Sequence, residues 1–437
     1  MNQLLDKQFF KSFKNWIKEL NQVKFAVNEV QKTRFVMNIL NKFIFIQSLD
    51  NFWVINKDFL LRRWQNSERK WMAKSKVRFL QKFFEEVNNN FFEYYDSGLF
   101  MEVIEEKAIL NYIDNDPSNQ NLFYEKIKLI LGIDYGDTAR GSVPGIIQYN
   151  YRRIDEDILG KAYETFLAEI RKEQGIFYTP KSITQYIVER AIGRGFNPLV
   201  EKIIENLKSE RYENCLPLLE KLFSIKILDT ACGSGSFLIK SLQSIWQQYS
   251  KILKVLDEHY KTLSKYNDNL KKQKEIEDKF KLINNLNEIL NSNNKRKLIS
   301  QILLRHIYGN DLDANAINIA KLNLWLEAIK LTPRELQYDR LPTDTNHALP
   351  KLTMNLSVGN CLVGLPNKES IKYLNGSCSA ELTNLFELRE KYILNSDDIE
   401  IINEIDKIQS EIREKLGTKF EEFLNINHLP STLSFQT

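Results

Sequence analysis

The residues from Ile225 to Phe237 have the types and spacing best suited to chemistry. Ile225 and Ile227 alternate, and Leu228 adds a second apolar face, which reads as a strand covered on both sides. The chain then breaks into Asp229-Thr230-Ala231-Cys232-Gly233-Ser234-Gly235-Ser236 and resumes as Phe237-Leu238-Ile239, the opening of a helix. Glycine lets the backbone come close to a ligand, and the N–H groups of a helix N-terminus favour negative charge. Asp229, at the carboxyl end of the strand, suits a cation instead. Amides for a carboxylate beside a carboxylate for an ammonium fit an amino-acid zwitterion better than a pyrophosphate. Gly-Ser-Gly alone is equally compatible with a dinucleotide turn or a plain strand-to-helix loop. The full string D-x-x-C-G-S-G-x-F is far more specific.

Three more stretches carry polar groups at strand or helix ends. In Tyr178-Thr179-Pro180, Thr179 is a good N-cap and Pro180 a good first helical residue. Ile183, Ile187 and Ala191 would form the buried face of that helix, and Gly193 or Gly195 would end it. His306 to Ala316 reads as a short strand ending at Asp311, with Asp313 capping a helix whose buried side holds Ile317, Ala320, Leu324 and Ile329. An acidic residue ending the second strand commonly grips ribose hydroxyls about 20 positions past the glycines. Here Asp311 lies 82 positions past Asp229, because a helical insertion intervenes. Asn355 to Leu362 is again a strand running into a polar turn, with Asn360 in the turn and Cys361, like Cys232, read as a packing residue.

Taken in this order, the motifs resemble the S-adenosylmethionine site of amino-methyltransferases that methylate adenine N6 in DNA. The resemblance is closest to the methyltransferase portion of type IIG restriction–modification enzymes, and it covers most of the chain, from about Phe35 to Asn425. It implies S-adenosylmethionine as cofactor, held by Tyr178, Thr179, Asp229, Ala231, Gly233, Gly235, Phe237, Asp311, Leu312 and Asn360. In that match Thr179 contacts the methionine carboxylate and Tyr178 lines the pocket. Asp311 takes the ribose hydroxyls, Leu312 packs on the adenine face, and Asn360 bonds the adenine amino group. A nicotinamide-dependent oxidoreductase is disfavoured, because position 238 is Leu where G-x-G-x-x-G requires glycine.

The elements that must position these residues are mostly helical. At 437 residues the chain can bury two cores, or one with appendages. Its net charge of +4 is too small to establish a nucleic-acid partner by itself. Cys215, Cys232, Cys361 and Cys378 show no C-x-x-C pairing, which argues against a zinc site or a disulfide framework and fits a reducing cytoplasm. Phe35 to Leu49 is apolar but carries Asn38, Asn41 and Lys42, so it reads as a buried helix and not a membrane span. Residues 1 to about 115 have helical spacing, with Phe35, Ile39, Phe43 and Ile46 as one core-facing stripe. Asp96 with Glu105-Glu106-Lys107 matches the spelling of a nuclease site, yet its surroundings look helical.

Between Lys57 and Lys82 nine Lys or Arg stand against Asp58 and Glu68, interleaved with Phe59, Trp64, Trp71 and Phe79. The segment could neutralise phosphates and stack on bases, or be an amphipathic helix pair with core aromatics. Ile133 to Gly145 reads as a linker, followed by an acidic helix start before Lys161 to Ile170. The helix after Phe237 is expected to run to about Leu253 and then give way to helical hairpins to about Lys297. Residues 381 to 423 read as a further hairpin that packs on the cofactor domain or on another chain.

The expected architecture is therefore an all-α N-terminal domain (1–150), then a Rossmann-like α/β methyltransferase domain with a partial sheet (151–370, helical insertion 250–300). A helical hairpin and tail (371–437) follow. In the fold so implied, the strand of Asp229 pairs with the strand of Asp311, and the strand of Asn360 lies beyond. Such enzymes continue into a catalytic Asn/Asp-Pro-Pro-Tyr/Phe motif and a target-recognition domain, whereas this chain contains no Pro-Pro. The expectation is the cofactor-binding portion of an adenine-specific DNA methyltransferase, with DNA as partner and a downstream chain supplying the catalytic motif. The alternative is a non-catalytic cofactor- and DNA-binding subunit or an inactive remnant. The cofactor motifs alone would also allow a relative that methylates RNA or a protein glutamine.

Overall fold

A computed structural model describes residues 2–71, 79–80, 82–87, 104–133, 143–154, 160, 179–269, 274–332, 349–363, 367–396 and 398–426. The chain divides into two compact units. The first gathers residues 1–178 with 233–235 and 318–349; the second gathers 179–232, 236–317 and 350–437.

In the first unit the chain folds as α1 (Asn2–Leu20), α2 (Glu29–Asn51), α3 (Phe59–Trp71), α4 (Ile104–Asp114) and α5 (Pro117–Leu131). Helix α2 starts at an Asn28–Gln31 capping box and is buried on every side along its second half, from Leu40 through Ile46 to Leu49. The single stripe expected from Phe35, Ile39, Phe43 and Ile46 is thus too narrow, because other helices surround α2. Its polar residues are correspondingly tied down. Lys42 donates to Glu106 of α4 at 2.9 Å, and Asp50 accepts the Phe59 amide at 3.1 Å. Glu106 therefore belongs to a buried ion pair on a helix, and the nuclease spelling has no strand beneath it; Asp96 lies outside the described residues.

Two aromatics of the basic segment, Trp64 and Phe79, are core. Trp64 meets Phe79 edge-on at 4.8 Å and packs on Phe83 and Tyr124, which leaves neither Trp64 nor Phe79 available to stack on a base. Arg62, Arg69 and Lys70 face solvent, while Lys74, Lys76 and Arg78 lie outside the described residues.

Instead of leading away as a linker, the chain after Ile133 returns to the same unit. The Gln148 side chain donates to Gly132 O at 2.8 Å and accepts from the Gly145 amide at 2.9 Å, closing the ends of that loop on each other. Trp16 donates to Pro144 O, Tyr149 shares a hydrogen bond with Ser12 at 2.7 Å, and the Tyr151 amide donates to Asn51. Residues 155–170, where the sequence predicts an acidic helix start and a helix, lie outside the described residues apart from Gly160.

The second unit is built on a small parallel sheet, β1 (Ile227–Asp229), β2 (Ile307–Asp311) and β3 (Leu356–Val358), in the order β1-β2-β3. That is the order expected for these three strands. Helix α6 (Lys181–Lys208) precedes α7 (Cys215–Ser224) and β1. It begins after Pro180, one residue later than expected, and Thr179 does not cap it. It also runs straight through Gly193, Gly195 and Pro198. The reason is its buried stripe of Thr184, Val188, Ile192, Phe196, Val200, Ile203 and Leu207. Two glycines and a proline cost a helix about 5 kcal/mol together. Six buried apolar side chains contribute on the order of 10 kcal/mol, which outweighs that cost. The stripe is displaced by one position from the expected face, so Ile183 and Ile187 are 49% and 47% exposed.

After β1 a single helix, α8 (Ser236–Asn269), runs well past Leu253 because Ile252, Leu256 and Leu263 keep its stripe buried. It turns back through α9 (Lys274–Ile289), and α10 (Lys295–His306) returns the chain to β2. Helix α11 (Ala314–Leu331) follows β2; its first turn clusters with the second unit and the rest with the first. Short α12 (Asn367–Ser377) precedes the expected C-terminal hairpin, α13 (Ser379–Leu394) and α14 (Ile399–Ile426). The hairpin packs on the sheet's own unit. Glu390 pairs with Arg305, Arg389 donates to Leu304 O, and Tyr392 accepts the Lys351 amide.

Candidate functional site

Because all three strands run parallel, their carboxyl ends share one edge. Asp229 ends β1, Asp311 ends β2, and Asn360 stands two residues beyond β3. Pairing of Asp229 with Gly309 sets Asp311 two residues further out along the sheet than Asp229. Burial pushes the Asp229 carboxyl above its usual range, the Ala231 amide partly offsets this, and the charge of Asp311 adds to the rise. The Cys232 thiol is driven up chiefly by burial, with both carboxylates adding to it.

Each polar residue on this edge organises the turn that follows it. Asp229 accepts from Ala231 N at 3.1 Å, Asp311 from Asp313 N at 2.9 Å, and Asn360 from Leu362 N at 3.0 Å. Asp313 accepts the Asn315 amide at 2.9 Å and caps α11, as its position before the apolar run implies. The turns are then laced to β2: Cys232 N donates to Asn310 O, Gly359 N to Asp311 O, and the Asn310 side-chain amide to Gly359 O at 2.7 Å. Gly233 and Gly235 carry φ of 53° and 89°, a left-handed backbone that a side chain would strain.

Among the candidate residues, Asp229, Ala231, Asp311 and Asn360 come together at the carboxyl edge. Phe237, the second residue of α8, is half-buried, and Thr179, two residues ahead of α6, is also half-buried. Leu312 is 71% exposed, with Val358 and Leu362 also exposed near the same edge. Gly233 and Gly235 cluster with the first unit, and Tyr178 lies outside the described residues. Cys361 is exposed and so is not the packing residue expected, whereas Cys232 is buried. Leu228 is 62% exposed, so β1 is not the doubly covered strand that its apolar run suggests. Among the described residues no group of three or more His, Cys, Asp or Glu could hold a metal ion.

Three buried polar residues with structural hydrogen bonds escaped the sequence reading. His306 accepts from the Tyr249 hydroxyl at 2.8 Å and donates through Nδ1 to Ile225 O at 2.7 Å, tying α8 to the starts of β1 and β2. The Asn355 amide reaches the carbonyls of Leu303, Leu304 and Ile307. Asn323 on α11 donates to Ser234 O at 2.9 Å. Their one sequence signal is a lone polar residue inside an apolar run, as in Leu322-Asn323-Leu324-Trp325.

Residues 204–363, which span all three strands, match the family described as the DNA-methyltransferase domain of MmeI. The chain is 28% identical over 299 residues to the putative type II restriction enzyme and methyltransferase RM.MjaORFECS2P of Methanocaldococcus jannaschii, covering 63% of this chain and 22% of that protein. It is 27% identical over 293 residues to the type II restriction enzyme and methyltransferase RM.Eco57I of Escherichia coli, covering 66% of this chain and 24% of that one. The chain thus spans about a quarter of the length of these curated relatives. Its resemblance to the methyltransferase portion of type IIG restriction–modification enzymes rests on these matches as well as on the loop motifs.

Proposed function

We propose that this chain is the S-adenosylmethionine-binding portion of an adenine-specific DNA methyltransferase of a restriction–modification system. The observation that carries the reading is the Asp229–Asp311 pair at the carboxyl ends of adjacent parallel strands. Two carboxylates that repel each other at an open edge are relieved by a ligand that brings a cation to one and hydroxyl donors to the other. S-adenosylmethionine has both, an ammonium and a ribose diol, so the donor set fits it. A dinucleotide has the diol but puts a pyrophosphate where Asp229 stands.

When bound, the cofactor supplies an electrophilic methyl group on sulfonium. Asp229 then holds the ammonium and Asp311 the ribose hydroxyls, while the exposed Leu312 offers the adenine ring an apolar face. The Asn360 carboxamide oxygen already accepts Leu362 N, and its second lone pair is left for the adenine amino group. Thr179, Tyr178, Ala231, Phe237 and the left-handed Gly233 and Gly235 complete the proposed set, with the glycine backbone approaching the methionine carboxylate. The target adenine would have to be extruded from DNA and its amino hydrogens accepted by protein groups. The Pro-Pro motif that does this in the resembling family is not in these 437 residues. The second reading is a subunit that binds cofactor and DNA without catalysing transfer. Titration calorimetry tests the cofactor assignment: S-adenosylhomocysteine should bind and NADH should not, and the reverse result would overturn it.

A further inference from the structure

Nothing in the loop sequence explains why Gly233-Ser234-Gly235 should keep one shape. Within the first unit, helix α11 does. Ser234 is fully buried, which is unusual for a serine in an open ligand loop. Its carbonyl accepts the Asn323 amide at 2.9 Å, and Asn323 is itself only 1% exposed. One turn earlier on α11, Ala320 lies directly under Gly235: a Cβ built on Gly235 would come within 3.1 Å of the Ala320 Cβ. On Ser234 the other neighbour is Gly160, where an added Cβ would collide with Ser234 Oγ and stand 3.5 Å from Asn323 Nδ2. The loop is therefore clamped between Gly160 and the Ala320–Asn323 face of α11, and Asn323 makes the directional bond.

We propose that Asn323 is a positioning residue for the cofactor loop, with Ala320 and Gly160 as its steric counterparts. The inference rests on the cofactor reading above but makes a separate structural claim. A carboxamide is suited to the task, since its N–H donates to Ser234 O whatever the pH. Aspartate is nearly the same shape and would present an oxygen to that carbonyl. Leucine is of similar volume and would remove this donor from the buried loop.

The test compares wild type with Asn323→Leu, Asn323→Asp and a control, Thr332→Val, which removes a buried hydroxyl bond to Ala328 O at the end of the same helix, away from the loop. Hydrogen exchange of peptides covering 231–237 is read first, because it needs no ligand. Both Asn323 variants should exchange at least tenfold faster there, with peptides from β2 unchanged, and Thr332→Val should leave 231–237 as in wild type. Calorimetry with S-adenosylhomocysteine should then give at least tenfold weaker binding for both Asn323 variants and wild-type affinity for Thr332→Val. Unchanged exchange at 231–237, acceleration spread over the whole chain, or unchanged affinity in the Asn323 variants would each overturn the proposal. If wild type binds no cofactor, the functional reading falls and the exchange data alone decide the role of Asn323.

Discussion

In the proposed site Asp229 and Asp311 put the same charge to different uses, and each use can be measured. Replacing Asp311 with Ala removes the proposed acceptor of two hydroxyl donors, and binding of S-adenosylhomocysteine should weaken by roughly 1–3 kcal/mol. Equal affinities for wild type and Asp311→Ala in calorimetry would remove Asp311 from the site. Asp229 adds a dependence on pH. Its pKa is raised in the protein alone, through burial first and Asp311 among the lesser causes. Ionisation of Asp229 is thus harder than for a free aspartate, whereas an ammonium requires the ionised form. Affinity should fall as pH drops through that raised pKa, with proton release on binding in the same range; Asp229→Asn should bind weakly at every pH and lose the slope. A wild-type affinity flat from neutral to acid pH would separate Asp229 from the ammonium.

At the level of elements, His306 joins α8, β1 and β2, and it does so uncharged. Burial, the largest cause, lowers its pKa from 6.5 to about 4, although the bond to Ile225 O works the other way. Between those values the unfolded chain takes up a proton that the folded one refuses, so stability present above pH 6.5 drains away as pH falls toward 4, by about 3 kcal/mol in all. Thermal melts across that window should show this slope in wild type and a flatter one in His306→Gln, and equal slopes would exclude His306 as the cause. On α6, Phe196→Ala should destabilise by about 3–5 kcal/mol, whereas Ile187→Ala, on the exposed face, should change stability by less than about 0.5 kcal/mol. The contrast marks what the sequence could and could not tell. The three strand-to-turn landmarks were legible, because apolar residues ending at Asp229, Asp311 and Val358-Gly359-Asn360 are local patterns, whereas the strand order came only from the family resemblance. The buried face of α6 was not legible, because Ile183-Ile187-Ala191 and Val188-Ile192-Phe196 are equally good stripes and only tertiary packing chooses between them. The same holds for Ile133 to Gly145, whose loop-like composition gave no hint that Gln148 would close it.

For the whole molecule, the question is which parts of the proposed reaction these 437 residues can perform. The net charge of +4 is spread thinly, so any DNA contact must come from clusters such as Lys57 to Lys82. Trp64 and Phe79 are committed to the core, so neither ring can stack on a base, and the contribution to test in that segment is its charge. Reversing Lys74, Lys76 and Arg78 to Glu should then weaken DNA association and flatten its salt dependence, through fewer released counterions. An unchanged salt slope would make the segment a solvated helix face. Methyl transfer asks for more than DNA and cofactor. Adenine N6 is conjugated with its ring and weakly nucleophilic, so its hydrogens must be accepted as the sulfonium methyl departs. The carboxylates of the sheet edge are committed in the proposal to the cofactor's own ammonium and hydroxyls. No Asn-Pro-Pro-Tyr is present to serve the adenine, and the curated relatives are about four times longer than the stretch they share with this chain. The purified 437-residue chain should therefore bind S-adenosylmethionine yet transfer no labelled methyl to DNA. Activity should emerge when a polypeptide carrying that motif is co-expressed. Label incorporated by the chain alone would mean that a side chain among these residues accepts the N6 proton, and would overturn the division of labour proposed for it.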